Sequence, residues 1–317
     1  MKKKILYWGI LPAAVLVVIA ASYATWNRLD PDYTCARCHE ISTACAKWEQ
    51  SAHADVTCTD CHGTALESFN SMSEKLNMVY KHFTTKKTFE DIHLAEKQSL
   101  ALANRCAECH QAEQASWMSG AHSTTYKDIF MDVEHNKMER PYWDCFRCHG
   151  MFYDGDIDDL MALEGGPEDW HIKDASQMDK PAITCLACHQ VHHEQPRGMN
   201  YKDMDEASRG ALAQKAKYPP TALYMRADKR HMPADKLLKE QIFAGDSLVA
   251  EIKDANTLLC MQCHAPGTNH QLGSGDDKTT IGDFKDMSCI TCHDPHSNQL
   301  KTSHRNVHKK LFSALSK

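Results

Sequence analysis

The sequence has no basic stripe, no strand–helix–strand alternation and no complete calcium loop. Its 317 residues carry a formal net charge of −6. A phosphate binder needs clustered lysine and arginine, so nucleic acid is excluded as a partner and a basic or mixed-charge protein fits better. Without a βαβ pattern, a thioredoxin-like dithiol fold is excluded as well. The acidic stretch 154–179 fails as an EF-hand, because Asp159 and Gly165 stand where Gly and Glu are needed. It reads as a solvated loop, with a partner-docking patch as the other use. A mean hydropathy of −0.53 leaves little aliphatic material for an ordinary core.

Cysteine is what the chain has in excess. Of 15 cysteines, 14 fall into seven Cys-x-x-Cys-His pentapeptides. The pairs are Cys35 and Cys38, Cys58 and Cys61, Cys106 and Cys109, Cys145 and Cys148, Cys185 and Cys188, Cys260 and Cys263, and Cys289 and Cys292. Each pair is followed by its histidine: His39, His62, His110, His149, His189, His264 and His293. Random placement of this composition would give about 0.04 such matches. The pattern is the attachment site of c-type haem: two thioethers tether the porphyrin and the histidine takes one axial position on iron. Zinc also uses Cys-x-x-Cys pairs, but a zinc ribbon has no need of a histidine directly after each one. Seven covalently attached haems c are expected. They would supply the buried apolar mass that the side chains lack. The remaining cysteine, Cys45, reads as a small buried hydrophobe, with iron ligation or redox activity as alternatives.

The expected fold is mainly α with long loops, a body wrapped around its haems. Between each motif histidine and the next motif lie 18, 43, 34, 35, 70 and 24 residues. Residues 65–83 read as a helix with Leu66, Phe69, Met72, Leu76, Val79 and Phe83 on one face, and residues 234–255 read as another. A terminal helix is expected over 300–317. The organisation expected is 1–26 as a membrane anchor, 27–95 as a two-haem segment and 96–317 as a five-haem segment packed against it.

The anchor expectation rests on Lys2, Lys3 and Lys4, followed by 22 uncharged residues from Ile5 to Trp26. As a helix these span about 33 Å against a hydrocarbon thickness of about 30 Å. The lysines would hold the N-terminus in the cytoplasm, which places the haem body in the periplasm. A cleaved signal peptide ending near Ala24 is the alternative, and it also exports the body.

Function turns on the sixth ligand of each iron. A second histidine closes the iron and leaves electron transfer as its task, whereas an open face can bind a small molecule. Beyond the seven proximal histidines, 13 remain. Supply therefore forces no open site. The candidates for the distal face are His53, His82, His122, His192, His231, His270 and His296. His53 and His122 belong to a weak internal echo, Trp48-x-x-x-Ala-His53 and Trp117-x-x-x-Ala-His122. His192 and His296 each follow a motif histidine by three residues, too close to fold back on their own iron but able to reach a neighbour. His93, His135 and His171 carry no such signal.

From the N-terminal run to about residue 83, the chain resembles the NapC/NirT family of membrane-anchored multihaem quinol dehydrogenases. The features that match are Cys35-Ala-Arg-Cys-His39, Trp48, Ser51, His53 and Cys58-Thr-Asp-Cys-His62. The resemblance implies a first haem close to the membrane and a quinol as electron donor. Ile41 stands where that family often has a methionine that ligates the first haem, and isoleucine cannot ligate. Cys289-Ile-Thr-Cys-His-Asp-Pro-His296 is similar to motifs of the multihaem nitrite reductase and hydroxylamine oxidoreductase group. In that group such a histidine often ligates a neighbouring haem. The catalytic Cys-x-x-Cys-Lys motif of the pentahaem nitrite reductases does not occur here. The expected function is thus electron transfer, from the quinol pool or a membrane complex to a periplasmic or extracellular redox partner, with the haems doing the chemistry. The alternative is an oxidoreductase that reduces a small nitrogen or sulfur oxyanion at an open haem.

Overall fold

A computed structural model describes residues 9–26, 28–29, 34–49, 51–64, 72–84, 94–192, 221–244, 247–264, 288–291 and 293–297. The chain divides into two compact units. One comprises Met1–Ile92 and Val191–Lys215, the other His93–Gln190 and Ala216–Lys317. The terminal helix expected at 300–317, His93, His270, Cys292 and the start of the 65–83 helix lie outside the described residues.

The first unit opens with α1 (Leu11–Trp26), which has Pro12 in its first turn, where the missing amide costs little. At 16 residues it is about 24 Å long, short of the roughly 30 Å of a bilayer core. Among the described residues no helix is long and apolar enough to cross a membrane. This overturns the expected transmembrane helix. With it fall the inner-membrane location, the cytoplasmic N-terminus and the periplasmic body derived from the anchor. The expectation counts the helix from Ile5; the described α-helix spans Leu11–Trp26, and residues 1–8 lie outside the described residues. Near its end, the Tyr23 hydroxyl donates to Thr64 Oγ1 at 2.6 Å. Three short helices follow: α2 (Ser42–Glu49), α3 (Cys58–His62) and α4 (Met72–Thr84). Leu76, Val79 and Phe83, half of the expected apolar face of α4, are exposed.

The second unit begins with α5 (Glu96–Cys109) and α6 (Gln111–Met118), which are separated by a non-helical backbone at His110. The first turn of α5 is closed where Gln98 Oε1 accepts from the Ala95 amide at 3.1 Å. On its inner face Ser99 is fully buried and shares a 2.7 Å hydrogen bond with Thr184. Then come α7 (Tyr126–Phe130), α8 (Val133–Met138) and α9 (Ile157–Leu160), with Thr125, Asp132 and Asp156 as side-chain N-caps. β1 (Met161–Ala162) pairs antiparallel with β2 (His171–Ile172), and β3 (Ala222–Met225) with β4 (Arg230–Pro233). The last helix, α10 (Ala255–Met261), is capped by Asp254.

Where a helix was expected over 234–255, the chain forms a 3-10 turn and then an antiparallel hairpin, β5 (Glu240–Ala244) with β6 (Ser247–Ile252). The physical reason lies in Gly245-Asp246 between the strands. In the sequence a glycine at that point breaks a helical period, because Gly is about 1 kcal/mol less favourable than Ala inside a helix.

Two apolar clusters fill this unit. One packs Tyr126, Phe130, Phe146, Leu160, Met161 and Ile172 beneath α7 and α9. Gly150 is required at its edge. Its φ is +100°, and a Cβ there would lie 2.8 Å from Tyr126 Cε1. The other cluster joins Phe152 and Tyr224, stacked at 4.0 Å, with Leu186, Ala187, Leu258, Leu259 and Met261. It therefore ties the fifth and sixth motifs to one core.

Candidate haem-attachment sites

The motif spacing is explained by one turn of helix. In five motifs the histidine amide donates to the carbonyl of the first cysteine: His110 to Cys106 at 2.9 Å, His149 to Cys145 at 2.8 Å, His189 to Cys185 at 3.0 Å, His264 to Cys260 at 2.8 Å and His293 to Cys289 at 3.0 Å. The second motif is the helix α3 itself. Residues i, i+3 and i+4 share a face of such a turn, so two thiols and one imidazole project together.

The motif histidines face other imidazoles. His62 faces His192 with ring centroids 6.1 Å apart and planes 29° from parallel. His189 faces His296 at 6.1 Å and 24°, and His264 faces His122 at 6.2 Å and 48°. A metal–imidazole bond is about 2 Å, so one metal ligated from both sides places the centroids about 6.2 Å apart. The three gaps fit an iron with two axial histidines. His39 faces His82 at 5.1 Å. There Glu40 accepts from His82 Nδ1 at 2.9 Å and lies 3.4 Å from His39 Nε2. Burial pushes the Glu40 carboxyl up, but its hydrogen bonds, first that from His82, hold it below the usual range. Cys38, Glu40 and His82 bring one ligand atom each within 4.8 Å of one another.

The remaining candidates are placed otherwise. His231, on β4, donates from Nε2 to the Leu186 carbonyl at 2.7 Å and packs edge-on to Tyr224. His53 sits in a turn where its amide donates to Ser51 Oγ at 3.1 Å. Cys45 is half-buried on α2.

Motif 4 has open space beside it. A cavity of about 290 Å³ opens beside it, lined by Cys145, Cys148 and His149 together with His135, Arg140 and Arg147. Burial, with smaller contributions from His135 and His264, lowers the His149 pKa to about 4, and its Nδ1 is buried with no hydrogen-bond partner among the described residues. His135 and Glu40 are the residues that sequence reasoning passed over. His135 has no repeat or motif beside it, and Glu40 is signalled only by its place directly after His39.

Thiols of different motifs also meet. Cys58 donates to Cys35 and lowers its pKa to about 6; Cys260 does the same to Cys289, also to about 6. Cys106 lowers Cys185 to about 7, and Cys263 bonds Cys148. Chain order is thus not spatial order, since motif 3 adjoins motif 5 and motif 4 adjoins motif 6.

Residues 105–165 and 226–294 match a family model described as cytochrome c554 and c-prime. The chain is a multihaem c-type cytochrome. It binds haem c covalently. The matched segments contain motifs 3, 4, 6 and 7, while motifs 1, 2 and 5 fall outside them. No curated protein and no solved structure matches the cytochrome.

Proposed function

We propose that the cytochrome carries seven haems, one on each Cys-x-x-Cys-His motif, and that it transfers electrons between redox partners. The observation that carries this reading is the set of three imidazole pairs at 6.1–6.2 Å. His192, His296 and His122 are the distal ligands of haems 2, 5 and 6, and His82 serves haem 1. An iron closed by two histidines has no site for substrate, and exchanging single electrons is the chemistry left to it. The likeness of residues 35–83 to the NapC/NirT family supports a quinol as donor, and the net charge of −6 supports an acceptor protein with a basic face.

A second reading is favoured by the cavity at motif 4. Its wall holds Arg140 and Arg147 among Asp132, Glu139 and Asp144, and an iron on His149 with this space on its other side would accept a small oxyanion. Intact mass of the native protein counts the haems, and electron paramagnetic resonance of the oxidised protein separates the two functions. Seven low-spin ferric signals are expected of a pure electron carrier. A high-spin haem whose spectrum changes with nitrite or hydroxylamine would make it a reductase.

A further inference from the structure

Two of the facing imidazoles, His122 and His296, are held by one small polar assembly. It rests on the turn after motif 7. Asp294 Oδ2 accepts from Ser116 Oγ at 2.7 Å and from Ser297 Oγ at 2.9 Å. Its Oδ1 accepts from the His296 amide at 3.0 Å and lies 3.7 Å from His296 Nδ1. The neighbouring Pro295 carbonyl accepts from His122 Nδ1 at 2.9 Å. A carbonyl has no proton to give, so Nδ1 must carry it. That leaves the His122 Nε2 lone pair for a metal, the usual device by which an outer hydrogen bond fixes an imidazole ligand.

The two turns are seated backbone on backbone. A Cβ at Gly120 would lie 2.4 Å from the Ser297 carbonyl oxygen, so no side chain fits between the segments. Asp294 lies midway: it holds the 116–122 segment through Ser116 and its own turn through the His296 amide and Ser297.

We propose that Asp294 is a positioning residue for two iron ligands at once, aligning His296 toward His189 and His122 toward His264. It does so by latching the turn after motif 7 to the turn after α6. The proposal rests on the reading of these imidazole pairs as axial ligands. Asp294 is not itself a ligand in this reading and acts through the two histidines. A carboxylate in this place aligns the sixth ligands of haems 5 and 6 together, so disturbing it moves two cofactors while leaving all cysteine tethers intact.

The test uses the oxidised holoprotein, with intact mass to verify the haem count, electron paramagnetic resonance for spin state and spectroelectrochemical titration for potentials. Asp294→Ala is expected to retain every haem that the native protein carries. Two low-spin signals should shift or convert to high spin, with the matching two midpoint potentials displaced. Asp294→Asn keeps an acceptor for the His296 amide and should restore most of the native spectrum. His122→Ala and His296→Ala serve as references, each expected to yield one high-spin haem. If both leave every signal low-spin, the histidines are not ligands, and the latch falls with the reading beneath it. If they convert but Asp294→Ala keeps native signals and potentials, only the latch is overturned. Should Asp294→Ala fail to accumulate, Ser116→Ala and Ser297→Ala each remove a single donor. Shifted low-spin signals in these variants support the latch, and native spectra in both overturn it.

Discussion

The two copies of Trp-x-x-x-Ala-His put the same residues to different ranges of work. In the first copy the Trp48 indole donates to the Val56 carbonyl at 3.1 Å, eight residues away, and buried Ser51 closes the turn by donating to the Trp48 carbonyl at 2.8 Å. In the second copy Trp117 donates to the Ile183 carbonyl at 3.2 Å, across 66 residues, and His122 faces His264. The position of Ser51 is taken by Gly120, and the space its side chain would need is filled by Ser297. One element is thus a self-contained turn, and the other is a turn opened to receive a distant segment. A change from Ser to Gly at one position separates the two uses.

The largest test of this contrast removes the imidazoles. His122→Ala is expected to turn one low-spin haem high-spin. His53→Ala should leave the low-spin signals as they are, because His39 and His62 already face His82 and His192. Equal spectra from the two variants would erase the distinction. The next test exchanges the small residues. Gly120→Ser forces a side chain against the Ser297 backbone and should cost about 1–3 kcal/mol, read as a lowered thermal midpoint with a perturbed His122 haem. Ser51→Gly should cost about 1 kcal/mol through the lost hydroxyl bonds and added chain freedom, without a change in spin state. The smallest effect comes from the indoles. Trp117→Phe and Trp48→Phe each remove one hydrogen bond worth about 0.5–1.5 kcal/mol. The Trp117 variant should also raise proteolytic cutting around Ile183, and the Trp48 variant should not.

The covalent part of the candidate site was legible because it is local. Two thiols and an imidazole within five residues need only one helical turn, and six of the seven motifs form it. The facing histidines were half legible. His192 and His296 stood out by being too near their own motifs, but their partners, His62 and His189, are set by folding over more than a hundred residues, which no local pattern encodes. His231 stood out by its place, and the structure adds that its Nε2 donates to the Leu186 carbonyl. Helical content was read from apolar spacing. That reading failed over 240–252, where two strands form and a glycine breaks the helical period in the sequence, and at the N-terminus, where no described helix is long and apolar enough to cross a membrane.

The meeting of cysteines from separate motifs bears on how the molecule is made. Before any porphyrin is joined, Cys35 with Cys58, Cys106 with Cys185, Cys148 with Cys263 and Cys260 with Cys289 are neighbouring sulfhydryls. An oxidant that welded one such pair would cost the chain two tethers in a single event. Biogenesis is therefore a race in which each sulfur must be kept reduced until its vinyl partner arrives.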